Sequence, residues 1–383
     1  MDLLGVKLGV RDGVWFSLLL LLRLYFQLQL FTDYGNREKI FEVTRNVAAP
    51  SSERQRVVFH SGPHKTGSSS LQFNMMNWTS TGILGDWVWP IPPIVMEEMS
   101  VDRPDNYRQK AFYPMMKALA MIANGVKHGK DGSKGVLLKH SPSYVLDQYK
   151  QEFLKTWKEG KNLVIGSEAG DIIGKNKSGR KVAQGLIDLM PWNADKTLNG
   201  TNSDLTVVVT YRTPRVDQLI SLWHQQVNGK GMTFKEWLEN SKDPLHSIDT
   251  LHLVSEYLAQ GLKVVLIDSR GCSKLQYDIN NVFACAVLKV PCSTDKKLAG
   301  WGLDPALKNV RTGKGKLNIT EKKLDEIEKS FKMFECQYLS LLSNENLSLL
   351  YPKYLLKNFR ECPSIPSMTK EDMMKTILNI TQN

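Results

Sequence analysis

One stretch of sixteen residues constrains the fold of this chain more than any other, and residues 57–72 read VVFHSGPHKTGSSSLQ. The apolar residues 57–59 are typical of an inner strand of a parallel sheet, and the Gly62–Pro63 pair ends that strand. Small residues follow Lys65 and leave the backbone N–H groups accessible, until Leu71 begins an apolar helical face. The stretch therefore predicts a buried strand, a tight polar loop and the first turn of a helix.

Such a loop predicts an anion site, because the first turn of a helix carries N–H groups without intrahelical partners and the positive end of the helix dipole. A polar turn that binds no ligand is the alternative. The common P-loop pattern GxxxxGK[ST] places its lysine after the second glycine, whereas here Lys65 precedes Gly67. This order resembles the 5′-phosphosulfate loop of the sulfotransferases that use 3′-phosphoadenosine-5′-phosphosulfate (PAPS), and HKTGSSSLQ most resembles the membrane-bound carbohydrate sulfotransferases of the Golgi. The resemblance implies that PAPS is bound by Lys65, Thr66, Gly67, Ser68, Ser69 and Ser70.

A second motif follows another predicted strand, Leu205–Thr210, and reads YRTPRVDQLISLWHQQ. It resembles the 3′-phosphate motif of the same family, in which an arginine and a serine hold the 3′-phosphate of the nucleotide. Arg212 and Ser221 match these residues, with Arg215 as an additional cation. Ser221 stands nine residues after Arg212, whereas the family usually has eight. One residue rotates a helix by about 100°, so either the turn absorbs the extra residue or another hydroxyl binds the phosphate.

Sulfuryl transfer also needs a base that takes the proton of the acceptor hydroxyl, and two residues are candidates. Glu168 follows a third predicted strand, Asn162–Gly166, at the position where open α/β sheets bind ligands. A helix cap made by Ser167, with Glu168 in the first turn, is the alternative. His140 lies in LLKHSPSY, which is less clearly a strand. Golgi-type relatives generally use a glutamate and cytosolic relatives a histidine, so the resemblance favours Glu168, with Lys65 neutralising the bridging oxygen.

The remaining pattern predicts a P-loop-like three-layer αβα fold, in the α/β class, with a central, mainly parallel sheet, because strands alternate with helices. We expect the segment Trp78–Asn106 to be a loop that covers the core or lines a cleft. Arg311–Lys316 (RTGKGK) faintly resembles a basic loop that closes over the nucleotide in sulfotransferases, with a solvated linker as the alternative. The other predicted elements are one strand and four helices: Lys263–Asp268, Ala111–Val126, Tyr144–Glu159, Asp278–Val290 and Thr320–Leu342.

The N-terminal region predicts a membrane anchor, because residues 14–31 form a long apolar run preceded by basic residues. We expect residues 1–13 to be a cytoplasmic tail, 14–31 a signal anchor, 32–56 a stem and 57–383 a lumenal sulfotransferase domain. The chain would then be a single-pass type II protein of the Golgi membrane. A cleaved signal peptide and a buried core helix are the alternatives for the apolar run.

Cysteine usage and glycosylation sequons agree with a lumenal domain. The five cysteines show no CxxC spacing and no accompanying histidine cluster, so we expect no metal site. In an oxidising compartment the pairs Cys285–Cys292 and Cys336–Cys362 are plausible disulfides, which would leave Cys272 free. The six N-x-[ST] sequons begin at Asn77, Asn176, Asn199, Asn318, Asn346 and Asn379.

The net charge of +11, from 50 Lys and Arg against 39 Asp and Glu, indicates an anionic partner. No zinc finger, basic helix or RNA-binding aromatic motif is present in the sequence, which favours a nucleotide and a glycan acceptor over nucleic acid. A P-loop kinase is a rival interpretation, but it needs a lysine after the second glycine and an acidic residue for magnesium. A non-catalytic lumenal binding protein that keeps the fold is the other rival, and only the extra residue before Ser221 favours it.

Overall fold

The computed structural model describes residues 54–62, 68–98, 110–125, 138–167, 179–227, 231–241, 245, 249–274, 278–291, 319–360, 362 and 368–382. The chain divides into two units, Met1–Arg54 and Gln55–Asn383, and the second unit contains every element described below. The predicted tail and anchor, and nearly all of the predicted stem, lie outside the described residues. Among the described helices none is both long enough and apolar enough to cross a membrane.

The second unit is built on one six-stranded sheet in the order β2-β3-β1-β4-β5-β6, and every neighbouring pair of strands is parallel. The strands are β1 (Val57–Ser61), β2 (Trp87–Val88), β3 (Asn162–Ser167), β4 (Leu205–Tyr211), β5 (Lys263–Asp268) and β6 (Leu347–Leu350). All five residues of β1 are buried, and in β3 and β4 only one residue each is half-buried. Continuous apolar runs of this kind are typical of parallel strands that are covered on both faces.

Fourteen α-helices are described in this unit. They are α1 (Ser68–Ser80), α2 (Ile94–Glu98), α3 (Tyr113–Ala123), α4 (Pro142–Lys158), α5 (Gly179–Asp188), α6 (Pro191–Ala194), α7 (Arg215–Val227), α8 (Phe234–Asn240), α9 (Thr250–Leu258), α10 (Ser269–Lys274), α11 (Ile279–Val282), α12 (Glu321–Glu335), α13 (Lys353–Arg360) and α14 (Lys370–Gln382). Short 3₁₀ segments, Asn202–Asp204 and Cys336–Ser343, and one π-helical turn, Phe283–Val287, complete the described helical structure.

The helices cover both faces of the sheet, which confirms the three-layer α/β fold. Phe59 of β1 packs edge-on against Tyr257 of α9, whereas the next residue, His60, packs against Phe283 after α11. Successive strand residues point to opposite faces, so α9 and the α11 region lie on opposite sides of the sheet. Helices α3, α4, α5 and α9 contact one another in series on one side, and α1 contacts α11 on the other.

A second apolar core lies apart from the sheet, where α7, α8, α12 and α14 pack together. Its aromatic centre is Trp223, Phe234 and Trp237, whose rings contact in sequence. Because α7 begins directly after β4, this core fixes the helix that carries the second motif.

One predicted disulfide is confirmed: Cys336 at the end of α12 is bonded to Cys362, with the two Cα atoms 5.6 Å apart. Cys272 is a free, buried thiol, as predicted. Cys285 is disulfide-bonded, and Cys292, the partner predicted for it, lies outside the described residues.

Several predicted element boundaries were wrong. The supposed loop Trp78–Asn106 contains the end of α1, strand β2 and helix α2, and its residues beyond 98 are not described. Two residues of β2 are too few to show a period in the sequence. The helix predicted as Thr320–Leu342 ends at Glu335 and continues as 3₁₀ turns, and the helix predicted as Asp278–Val290 changes to a π-helical turn at Phe283.

Candidate functional site

The topology of the sheet predicts a ligand crevice at the carboxyl end of β1. Strand β1 leads into α1 on the side of Phe283, whereas the adjacent strand β4 leads through α7 and α8 to α9 on the opposite side. In open α/β sheets, ligands bind where neighbouring strands send their connections over opposite faces. Residues 62–67 follow β1 in the sequence at this position, and of these residues only Gly62 is described.

The predicted phosphate loop is only partly described. Helix α1 begins at Ser68 and runs for thirteen residues, and its N-terminus follows the central strand, as the sequence predicts. Lys65, Thr66 and Gly67 lie outside the described residues, as do the side chains of Ser68, Ser69 and Ser70. At the start of the loop, the Gly62 N–H donates to the carbonyl oxygen of Ser167 at 3.3 Å, so β1 and β3 end side by side.

Arg212 follows the last residue of β4 and is half-buried. Strands β1 and β4 are neighbours in the sheet and are parallel, with His60 paired to Val208. Arg212 and the loop after β1 therefore both follow the carboxyl ends of adjacent strands. Partial burial lowers the pKa of Arg212, and the carboxylate of Asp217 opposes that shift. Asp217 is therefore close enough to influence a cation at this edge.

Ser221 lies in α7 and is half-buried. It is four residues after Asp217, so the two side chains share one face of the helix. The described contacts do not test whether the turn after β4 absorbs the extra residue between Arg212 and Ser221.

Arg215 does not serve as the additional cation that the sequence suggested. It is only 1% exposed, and its Nε lies 2.9 Å from Oε1 of Glu335. Its Nη1 donates to Oε1 of Gln218 at 2.7 Å and to Oγ1 of Thr250 at 3.2 Å. A guanidinium already bound to this buried set is a structural group, because a phosphate would have to replace its partners.

Two buried polar residues near the crevice were missed by the sequence analysis. His60, on β1, has its Nε2 3.4 Å from Oγ1 of Thr210, and burial lowers the pKa of His60 to about 3, so the ring is neutral. Gln72, on α1, is 1% exposed, and its amide has no hydrogen-bond partner within the described part of the chain. The sequence contained one signal that could have identified His60, which is a polar residue in the otherwise apolar strand VVFH.

Glu168, the favoured base, lies outside the described residues, although the residue before it is described. Ser167 is the last residue of β3 and pairs in register with Ser61 of β1. The sequence position of Glu168 is therefore directly after the carboxyl end of a strand that adjoins β1. The helix cap proposed as the alternative is not tested by the described residues.

His140, the other candidate base, is held by a glutamate that the sequence analysis did not identify. Oε1 of Glu98 accepts from both the backbone N–H and Nδ1 of His140, each at 2.8 Å, and Oε2 accepts from the Lys139 N–H at 2.7 Å. The carboxylate of Glu97 lies 3.4 Å from Nε2 of His140. Within the described part of the chain no group of His, Cys, Asp and Glu side chains could hold a metal ion.

No known protein-family model matches the chain, and no curated protein sequence matches it.

Proposed function

We propose that this protein transfers a sulfuryl group from PAPS to a hydroxyl of a carbohydrate acceptor, which is a glycan, glycolipid or polysaccharide, in the Golgi lumen. The observation that carries the proposal is the parallel pairing of β1 with β4. This pairing brings the segment that leads to Lys65 and the segment that begins with Arg212 to one edge of the sheet. The two motifs are about 150 residues apart in the sequence, and a nucleotide with phosphates at both its 5′ and 3′ positions needs both of them.

The proposed reaction is an in-line displacement at sulfur. The acceptor oxygen forms a bond to sulfur as the bond between sulfur and the bridging phosphate oxygen breaks, and the acceptor proton passes to a base. Positioning and electrostatics dominate such transfers, because the transferred group carries spread negative charge. Lys65 would neutralise the bridging oxygen, the first turn of α1 would hold the 5′-phosphate, and Arg212 with Ser221 would hold the 3′-phosphate.

The described residues also support a lumenal location. The Cys336–Cys362 disulfide suits an oxidising compartment. Three of the sequon asparagines, Asn77, Asn199 and Asn379, are exposed, as glycosylation requires. The proposed membrane anchor at residues 14–31 rests on the sequence alone.

The test measures binding of adenosine 3′,5′-bisphosphate by calorimetry and transfer of radiolabelled sulfate to a panel of glycans. Lys65→Ala should reduce the transfer rate about a hundredfold or more, because it removes an electrostatic contact to the leaving group. Lys263→Ala is the matched control, since Lys263 is exposed and begins β5. It therefore lies at the amino ends of the strands, whereas the proposed site is at their carboxyl ends. A Lys65→Ala variant within fivefold of wild type would exclude the assignment of Lys65.

The rival functions give different results in the same experiment. A non-catalytic lumenal protein would bind the bisphosphate and transfer no sulfate to any glycan. A P-loop kinase would transfer the γ-phosphate of ATP in the presence of magnesium. It would not prefer nucleotides that carry a 3′-phosphate over those that lack one. Failure to bind adenosine 3′,5′-bisphosphate would overturn the proposed function.

A further inference from the structure

We propose that α2 and the first turn of α4 form the acceptor subsite, in which His140, oriented by Glu98, takes the proton of a sugar hydroxyl. This inference rests on the proposed sulfuryl transfer and names the surface that would present the acceptor. It assigns Glu98 as a positioning residue. It also assigns the role of base to His140 and not to Glu168, which the resemblance favours.

The hydrogen bonds that Glu98 accepts fix the tautomer of a neutral His140 ring. The side chain of Glu98 is fully buried and receives three N–H groups, and an ionised carboxylate accepts hydrogen bonds but cannot donate them. The proton of a neutral His140 ring therefore lies on Nδ1. Nε2 is left with its lone pair, which is the form that can accept a proton from a substrate.

The side chain of His140 is accessible from solvent. The side chain of His140 is 36% exposed, so Nε2 can reach a substrate while Nδ1 is hydrogen-bonded to Glu98. The oxygen of Glu97 that lies 3.4 Å from Nε2 belongs to a side chain that is 57% exposed. A sugar hydroxyl that donates to Nε2 would take the place of this Glu97 oxygen.

Two exposed side chains near His140, Tyr144 and Met96, offer the apolar contacts that a sugar ring needs. Tyr144 follows His140 by one helical turn, is 46% exposed, and has its ring centroid 5.3 Å from that of His140. Met96, beside Glu97, is 61% exposed. An exposed aromatic ring next to hydrogen-bonding groups can pack against the C–H face of a sugar. The exposed carboxylate of Glu97 disfavours a negatively charged sugar beside the reacting hydroxyl, so the expected acceptor residue is an uncharged hexose.

The direction of α4 places His140 toward the carboxyl edge of the sheet. Helix α4 leads into β3 after a short connection at the amino edge of the sheet, where the Asn162 N–H donates to the carbonyl of Asp86. A helix that returns to a parallel strand begins at the carboxyl edge, and α4 has seventeen residues, or about 25 Å. His140, two residues before α4, therefore lies toward the edge where β1 meets the proposed phosphate loop.

The experiment uses the full chain in detergent, radiolabelled PAPS and a panel of uncharged hexosides. His140→Ala should lower the transfer rate about a hundredfold or more and leave bisphosphate binding unchanged, because the base acts only in the chemical step. Added imidazole should restore part of that rate, which a purely structural role would not allow. His252→Ala is the matched control, since His252 lies in α9, which carries no residue of the proposed site.

Glu98→Gln tests the positioning role. The amide can donate to Nδ1 and favour the wrong tautomer, so turnover should fall tenfold or more at an unchanged Michaelis constant for PAPS. Nitrogen NMR of the histidine rings should show the Nδ1–H form in the neutral wild-type ring and its loss in Glu98→Gln. Unchanged bisphosphate affinity shows that the variant is folded.

The outcomes separate the two proposals. If the wild type transfers sulfate and His140→Ala does so within fivefold, the acceptor subsite is refuted and the proposed function stands. If Glu168→Gln is inactive while His140→Ala is active, Glu168 is the base and the subsite is likewise refuted. If the wild type does not bind the bisphosphate, the proposed function fails and the subsite fails with it.

Discussion

The Nε atom of Arg215 lies 2.9 Å from Oε1 of Glu335, and both side chains are almost completely shielded from solvent. The guanidinium also lies over the ring of Tyr211, whose hydroxyl donates to Oε2 of Glu335. Arg215 Nη1 reaches the carbonyl oxygen of Arg212 at 3.4 Å. The end of α12 is therefore fixed to the junction of β4 and α7, where the proposed 3′-phosphate ligand lies.

Glu335 makes stability depend on pH near neutrality. Burial raises the pKa of Glu335 from 4.5 to about 7, although Arg215 opposes the shift. A raised carboxyl pKa favours the folded state below pH 4.5, and this contribution is lost as the pH rises through 7. Relative to Glu335→Gln, the wild-type free energy of unfolding should fall by about 2 kcal/mol between pH 5 and pH 8. Urea titrations of both proteins at several pH values measure this difference, and parallel curves would refute it.

His60 should have the opposite pH dependence. Its pKa falls from 6.5 to about 3 because the ring is buried, so the unfolded chain binds the proton more readily. The contribution of the neutral His60 to the free energy of unfolding is complete above pH 6.5. It decreases as the pH falls toward 3, by roughly 1.4 kcal/mol per pH unit. His60→Gln should remove this component. Acid unfolding of the two proteins between pH 6.5 and pH 4 tests the difference, and an unchanged slope would show that His60 is not the group responsible.

Arg212 and Asp217 should change nucleotide affinity in opposite directions. Arg212→Ala should weaken binding of adenosine 3′,5′-bisphosphate roughly tenfold or more, because charge-assisted hydrogen bonds to phosphate are strong. Asp217→Asn should strengthen binding about twofold to fivefold, because an exposed negative charge beside the phosphate is removed. Calorimetry at low salt measures both changes. Equal affinities for wild type and Arg212→Ala would mean that Arg212 is not the 3′-phosphate ligand.

The Cys336–Cys362 bond should contribute substantially to stability. The two cysteines are 26 residues apart, and closing a loop of this length in the unfolded chain corresponds to about 3 kcal/mol. The double variant Cys336→Ser/Cys362→Ser should unfold at correspondingly lower urea concentration. An unchanged midpoint in non-reducing buffer would contradict the prediction.

Gly271 should tolerate no side chain. A Cβ at this position would lie 1.9 Å from the carbonyl oxygen of Tyr351, which is backbone and cannot move aside. Gly271 also donates its N–H to Asp268, whose other carboxylate oxygen accepts from the N–H groups of Tyr354 and Leu355. Gly271→Ala should therefore cost several times the roughly 1 kcal/mol expected for Gly261→Ala, which has a φ of +70° but open space around it. Thermal unfolding of the two variants measures the contrast, and equal losses would refute it.

The sequence alone determined the central strands and the layer architecture. Apolar runs such as VVF at residues 57–59 and VVV at residues 207–209 have no polar face, so they fit strands that are covered on both sides. The sequence also indicated the anion-type loop, the Cys336–Cys362 pair and the free Cys272, and the structure confirmed the two cysteine predictions. The loop and the sulfotransferase function remain predictions.

Tertiary structure alone decided which charged groups are buried and which are available to a ligand. Arg215 resembles a phosphate ligand in the sequence, but packing of α12 against α7 gives it Glu335 as a partner. The hydrogen bond between Glu98 and His140 likewise joins the last residue of α2 to a residue just before α4, and no local pattern relates the two. The periodicity of apolar residues indicates which face of a helix or strand is buried, because the residues that form one face are close to one another in the sequence. The partner of a buried charge depends on how distant elements pack, and only the folded chain specifies it.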